Sequence, residues 1–139
     1  MIILDTNVIS EVAKTDAHHQ VQAWIDRQQR RSLYATAISL GEIMFGIERL
    51  PEGHRKSALR QGMQQILQRY LAGRILSFDE RAARIYGRIV AYASVHGKTV
   101  HIADGQIAAI AQAHHFTVAT RDTAPFVAAG VSVINPWVI

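Results

Sequence analysis

Ile2-Ile3-Leu4-Asp5-Thr6-Asn7 is a short apolar run that stops on a carboxylate. Consecutive apolar residues without polar alternation suit a strand buried on both faces of a parallel sheet. An acid placed where such a strand ends lies at the carboxyl edge of the sheet, where open α/β folds put their sites. Phe116-Thr117-Val118-Ala119-Thr120-Arg121-Asp122 has the same form late in the chain. One chain is therefore expected to deliver two carboxylates to one edge.

The segments between these runs read as helices and further strands. A short helix is expected from Val8 to about Lys14. Asp16 is an N-cap candidate for a helix that carries Val21, Trp24 and Ile25 and ends near Arg31. Leu33-Tyr34-Ala35 is a strand, followed by a helix with Ile38, Ile43 and Ile47, and a turn at Pro51-Glu52-Gly53. The next helix, about His54 to Ala72, places Leu59, Met63, Ile66, Tyr70 and Leu71 on one stripe, and Gly73 ends it. Ile75 to Phe78 is a strand, Asp79 opens a helix whose inner face includes Ala82, Ile85, Tyr86 and Ile89, and Gly97 ends it. Ile102 to His115 is apolar almost all round and should be buried. A loop around Pro125 and a last strand, Val131 to Ile134, complete the chain. Strands alternating with helices predict an α/β fold, a three-layer α/β/α sandwich around a central parallel sheet.

The 139 residues fit one domain, 1–139, and 49% of them are hydrophobic, which excludes a disordered chain. There is no cysteine, hence no disulfide scaffold, thiolate metal site or cysteine nucleophile. The apolar start meets Asp5 too soon for a signal peptide, and no run reaches the roughly 18 residues that span a bilayer. A soluble cytoplasmic protein is expected. The net charge is +4, and twelve of the fifteen basic residues are arginine, whose fork suits phosphate. Arg27, Arg30, Arg49 and Arg55 are candidate contacts to a polyanion; solvated helix faces are the plainer reading.

Each candidate acid has a plain structural alternative. Asp5 suits an N-cap, and Asp122 suits a turn before Pro125. Ser39-Leu40-Gly41-Glu42 has the form of a capping box, although Thr36 is an equally good cap and would leave Glu42 in the second helical turn. Asp104 stands where a helix dipole favours an acid. As a set they read differently. Like charges about 4 Å apart repel by roughly 4 kcal/mol per pair at an effective dielectric of 20, so a cluster requires shared protons or a cation. Oxygen ligands without cysteine point to Mg²⁺ or Mn²⁺, which can activate water against a phosphodiester. The pairs His18-His19 and His114-His115 chelate poorly, because neighbours on a helix point apart. No serine occupies a nucleophile elbow.

At these residues the chain resembles the PIN-domain ribonucleases, specifically the toxin halves of VapBC-type toxin–antitoxin pairs. Leu4-Asp5-Thr6-Asn7-Val8 resembles the family's opening motif, and Ser39-Leu40-Gly41-Glu42-Ile43-Met44-Phe45-Gly46 its second block. Ala103-Asp104-Gly105-Gln106-Ile107-Ala108-Ala109 resembles the third and Ala119-Thr120-Arg121-Asp122 the fourth. Ala72-Gly73-Arg74-Ile75-Leu76 and Asn135-Pro136-Trp137 are similar to the FitB-like branch. The resemblance implies metal-dependent endoribonuclease cleavage with Asp5, Glu42, Asp104 and Asp122 as the acidic site. Thr120 follows as a hydroxyl that places water or metal, and Thr6 and Asn7 are further candidates to serve the site. It further implies a homodimer, a small VapB-type antitoxin as partner, and operator DNA contacted only through that antitoxin. Two other readings stand beside it. A phosphatase of the haloacid-dehalogenase type needs a second aspartate where Asn7 stands. A non-catalytic PIN-like RNA-binding or regulatory module would keep the fold without the chemistry.

Overall fold

The computed structural model describes residues 1–139. Five strands form one parallel sheet: β1 (Ile2–Leu4), β2 (Leu33–Thr36), β3 (Ile75–Leu76), β4 (Thr117–Ala119) and β5 (Val133–Ile134), in the order β3-β2-β1-β4-β5. Seven helices join or follow them: α1 (Thr6–Val12), α2 (His19–Asp26), α3 (Ala37–Glu48), α4 (His54–Ile66), α5 (Glu80–Val95), α6 (Ile102–His114) and α7 (Ala124–Ala128). No helix is long and apolar enough to cross a membrane.

The unbroken apolar character of the strands is explained by two cores, one on each face of the sheet. Leu4, Leu33, Ala35 and Ala119 pack with Val8, Trp24, Ile25, Ile43 and Met63 on the α1–α4 side. Ile3 and Val118 pack with Ile85, Ile89, Ile107, Ile110 and Phe126 on the α5–α7 side. Successive residues of β1 and β4 thus alternate between two dry layers, as the pleat requires. Strand order reverses between β1 and β4, so the crevice of this doubly wound sheet opens at their carboxyl ends. In that register Leu4 lies beside Ala119, which brings the next residues, Asp5 and Thr120, side by side just beyond the ladder.

Several local boundaries differ from the sequence expectation. Asp16 does not cap α2. The helix starts at His19 behind His18, whose backbone N–H donates to the Glu11 carboxylate at 2.9 Å and fixes the turn there. It ends at Asp26 rather than near Arg31, and Arg30–Ser32 form a 3-10 turn into β2. Thr36, not Ser39, caps α3: its side chain accepts from the Ser39 N–H, which leaves Glu42 in the second turn. The helix expected to reach Ala72 is α-helical only to Ile66. It widens into a π turn, Leu67–Leu71, closed by left-handed Ala72 and Gly73. Leu59 leaves the expected apolar stripe and stands 43% exposed. Pro125 lies in the first turn of α7 instead of a loop, a position where its missing N–H is not needed. β3 and β5 are shorter than the apolar runs that contain them.

Candidate active site

Asp5 is only 5% exposed, and both of its carboxylate oxygens are engaged. Oδ1 accepts from the Thr6 N–H at 2.8 Å, which caps α1. Oδ2 accepts from the Thr120 hydroxyl at 2.8 Å. The capping and site readings of Asp5 are therefore both satisfied, one oxygen each. Thr120 is fully buried, and its Oγ1 also accepts from the Asp122 N–H at 3.1 Å and from Asn7 Nδ2 at 3.2 Å. Asn7 Oδ1 in turn accepts from the Arg121 N–H at 3.2 Å. One small network thus ties the residue after β1 to the turn after β4. Asp122 does not cap α7, since that helix begins behind Thr123.

The other two acids come from helices at the same edge. Glu42 is exposed on α3, and its Oε1 accepts from the Thr6 hydroxyl at 2.8 Å. Asp104 is half-buried in the first turn of α6, next to Gly105, where that helix meets α5. A Cβ on Gly105 would lie 2.9 Å from the Tyr86 ring, so glycine sets how closely the two helices meet.

The four acids share one electrostatic field. Burial pushes the Asp5 carboxyl up to about 6 from an ordinary 3.8, against the lowering effect of its Thr120 and Thr6 hydrogen bonds; the Asp104 and Glu42 charges add to the rise. Asp104 is likewise raised, first by burial and then by the charges of Asp122 and Glu42, with His101 acting the other way. Desolvation combined with specific charge partners in a crevice is the pattern of a functional site. Yet no three acids or histidines stand close enough to form a ready three-ligand metal set. The histidine pairs do not join the acids; His18 and His19 stack on each other at 5.0 Å.

A groove of about 650 Å³ leads away from the acids between α1, α3 and α4. Thr6 and Glu42 stand at one part of its wall, Lys14 and Arg55 supply cations, and Ile43, Leu59 and Met63 supply an apolar lining. This groove uses the Leu59 side chain that the sequence had placed in the core. Of the candidate arginines, Arg55 shares the groove with Glu42, and Arg49 stacks over Phe45 on the exposed face of α3. Arg27 and Arg30 lie just before β2, at the amino edge of the sheet, and are not brought to the acids. Arg121 went unremarked in the sequence as a site residue, although it stands between Thr120 and Asp122; its only signal there was that adjacency.

Comparison with known proteins agrees with this geometry. The model of the PIN domain matches residues 2–131. The chain is 48% identical over 137 residues to VapC ribonuclease Y4jK of Sinorhizobium fredii, covering 99% of this chain and 98% of that one. It is 47% identical over 137 residues to toxin FitB of Neisseria gonorrhoeae, covering 99% of each. The structure of FitAB bound to the IR36 DNA fragment superposes with a TM-score of 0.92 at 47% identity, covering all of this chain and 97% of that one. With the crevice, the four acids and a family model over most of its length in agreement, the chain belongs to the PIN-domain family.

Proposed function

We propose that this chain is a Mg²⁺- or Mn²⁺-dependent endoribonuclease, the toxin of a toxin–antitoxin pair, acting on RNA in the cytoplasm. The observation that carries the reading is Asp5: a buried carboxyl, raised to about 6, locked by Thr120 and facing the charges of Asp104 and Glu42. The ribonuclease and toxin names of relatives near half identity support the same reading.

The donor set fits a hard divalent cation, since every candidate ligand is a carboxylate and the network around Asp5 fixes its orientation. Asp5, Asp104 and Asp122 would hold the cation, and Glu42 would hold it or orient water. When bound, it supplies positive charge to the phosphate oxygens and makes a neighbouring water easier to deprotonate. The chain's own part is positioning. Thr120 and Asn7 keep Asp5 from rotating, and Thr6 holds Glu42 through Oε1, leaving Oε2 free to accept a proton from the attacking water. In-line attack by water leaves a 5′-phosphate and a 3′-hydroxyl; a 2′,3′-cyclic phosphate product would contradict this mechanism. Arg55, with Lys14, stands in the groove beside Glu42 and is placed to meet RNA there; Arg49 lies over Phe45 on the exposed face of α3, and Arg27 and Arg30 are poorly placed to share that role.

The apolar groove beside Glu42 suits the inhibitory segment of a VapB-type antitoxin, with an antitoxin arginine or lysine reaching the acids. DNA then belongs to the antitoxin's own contacts. The chain is further proposed to act as a homodimer, with residues 1–139 as one folding unit because both cores rest on the same sheet. Mn²⁺ titration by calorimetry separates this reading from a non-catalytic module. Binding that Asp104→Asn weakens supports the nuclease; no heat at millimolar Mn²⁺ favours the module.

A further inference from the structure

Arg121 is flanked by Thr120 and Asp122, yet its guanidinium pairs with no carboxylate. Among the arginines only Arg60 and Arg84 pair with carboxylates, Glu48 and Glu80; Arg74 spends its donors on three carbonyls, and Arg30, Arg49 and Arg69 lie over aromatic rings, none of them next to one of the four acids in the chain. Arg121 lies over the indole of Trp137, with Cζ 5.4 Å from the ring centroid. Its backbone is fixed from two sides: its N–H donates to Asn7 Oδ1, and its carbonyl accepts from Asn135 Nδ2 at 3.5 Å. Asn135 Oδ1 also accepts from the Trp137 N–H at 3.0 Å, so one side chain ties the tail at Trp137 to the turn after β4. Trp137 is itself half-buried against the core on the α1–α4 side of the sheet.

A free arginine beside an acid cluster is attracted to it and would occupy it. The indole face offers a competing seat for the cation, and no ion pair joins Arg121 to Asp122. Two consequences follow. The acids stay open to a divalent cation. The guanidinium donors, which make no hydrogen bond within the chain, stay free for a phosphate, which such a fork can grip bidentately.

We propose that Arg121, seated on Trp137, binds a substrate phosphate adjacent to the scissile one, with Trp137 as its positioning residue. This rests on the ribonuclease reading above and adds to it a substrate contact and the side chain that prepares it.

The test is anisotropy of a fluorescent mixed-sequence single-stranded RNA on the antitoxin-free full chain, in Mg²⁺, across a NaCl series. An Asp5→Asn background limits cleavage. Arg121→Ala should weaken binding about tenfold and reduce the slope of log affinity against log salt by about 0.7, the value for one phosphate contact on a single strand. Trp137→Leu keeps apolar bulk but lacks the π face. It should reproduce both changes, because the released arginine turns to Asp122. Trp137→Phe should restore both, which a merely structural role of Trp137 does not predict. An Arg121→Ala protein with unchanged affinity and slope overturns this proposal and leaves the nuclease reading standing. Loss in Arg121→Ala but not in Trp137→Leu overturns the positioning role. Failure of the Asp5→Asn parent to bind RNA, together with no cleavage by wild type, overturns both readings.

Discussion

Replacing Asp5 by asparagine should make the metal-free protein more stable near neutral pH and less stable in acid. Folding holds the Asp5 proton more tightly than the unfolded chain does, because its value rises from 3.8 to about 6. Stability from this group is therefore fully present below about 4 and is lost as pH climbs through about 6. At about 1.4 kcal/mol per pH unit between the two values, the ionised carboxyl costs the folded state about 3 kcal/mol near neutral pH. Asparagine carries no such charge. It does place an amide where Oδ2 accepts from the Thr120 hydroxyl at 2.8 Å and from Asn7 Nδ2 at 3.4 Å, a mismatch of about 1 kcal/mol. The net expectation is a gain of about 1–2 kcal/mol near neutral pH. Near pH 4 this turns into a deficit of about 1 kcal/mol, where only the hydrogen-bond mismatch remains. Urea denaturation of both proteins in EDTA at the two pH values reads the difference directly. An Asp5→Asn change that destabilises equally at both would refute the claim that burial and neighbouring acids strain this carboxyl.

Thr120→Val removes the donor that lowers the Asp5 value, so Asp5 should titrate higher still; the acid limb of the pH–kcat/KM profile should move upward, and Thr120→Ser should return it. Gly105→Ala would press its methyl on the Tyr86 ring, itself set edge-on to Phe78 at 5.9 Å. Overpacking of about 1–3 kcal/mol should outweigh a helix-propensity gain of about 1, and a Tyr86→Leu second change should recover part of the loss in a denaturation series. Leu59→Asp sits on the exposed groove wall, so it should leave thermal unfolding nearly unchanged while weakening capture of the cognate antitoxin at least tenfold by calorimetry. Unchanged antitoxin affinity would move the inhibitory segment to another face.

Asp5 and Asp122 were legible as a pair because parallel strands end on the same edge, and the Leu4–Ala119 register does the rest. Asp104 stood out as an acid in an apolar helix. Glu42 was less secure, since two caps, Thr36 and Ser39, competed on local chemistry alone; the fully buried Thr36 hydroxyl, which accepts from the Ser39 N–H, decides it. Arg27 and Arg30 were candidate polyanion contacts on charge alone, which takes no account of the sheet's direction. Being ahead of β2 puts them at the opposite edge from residues that follow strands. The groove was hidden because Leu59 fits a core stripe by spacing, and only the packing of α4 against α3 shows that it is left uncovered. Arg121 was legible only by its place between Thr120 and Asp122, because its seat over Trp137, sixteen residues later, is a tertiary contact.

Cleavage of total RNA by the purified, antitoxin-free protein, with Mg²⁺, with EDTA and with Asp5→Asn beside wild type, bears most directly on the proposed activity. Discrete fragments ending in a 5′-phosphate, absent in EDTA and absent with Asp5→Asn, are the predicted result. Cleavage that persists in EDTA or in Asp5→Asn would contradict a nuclease built on these four carboxylates.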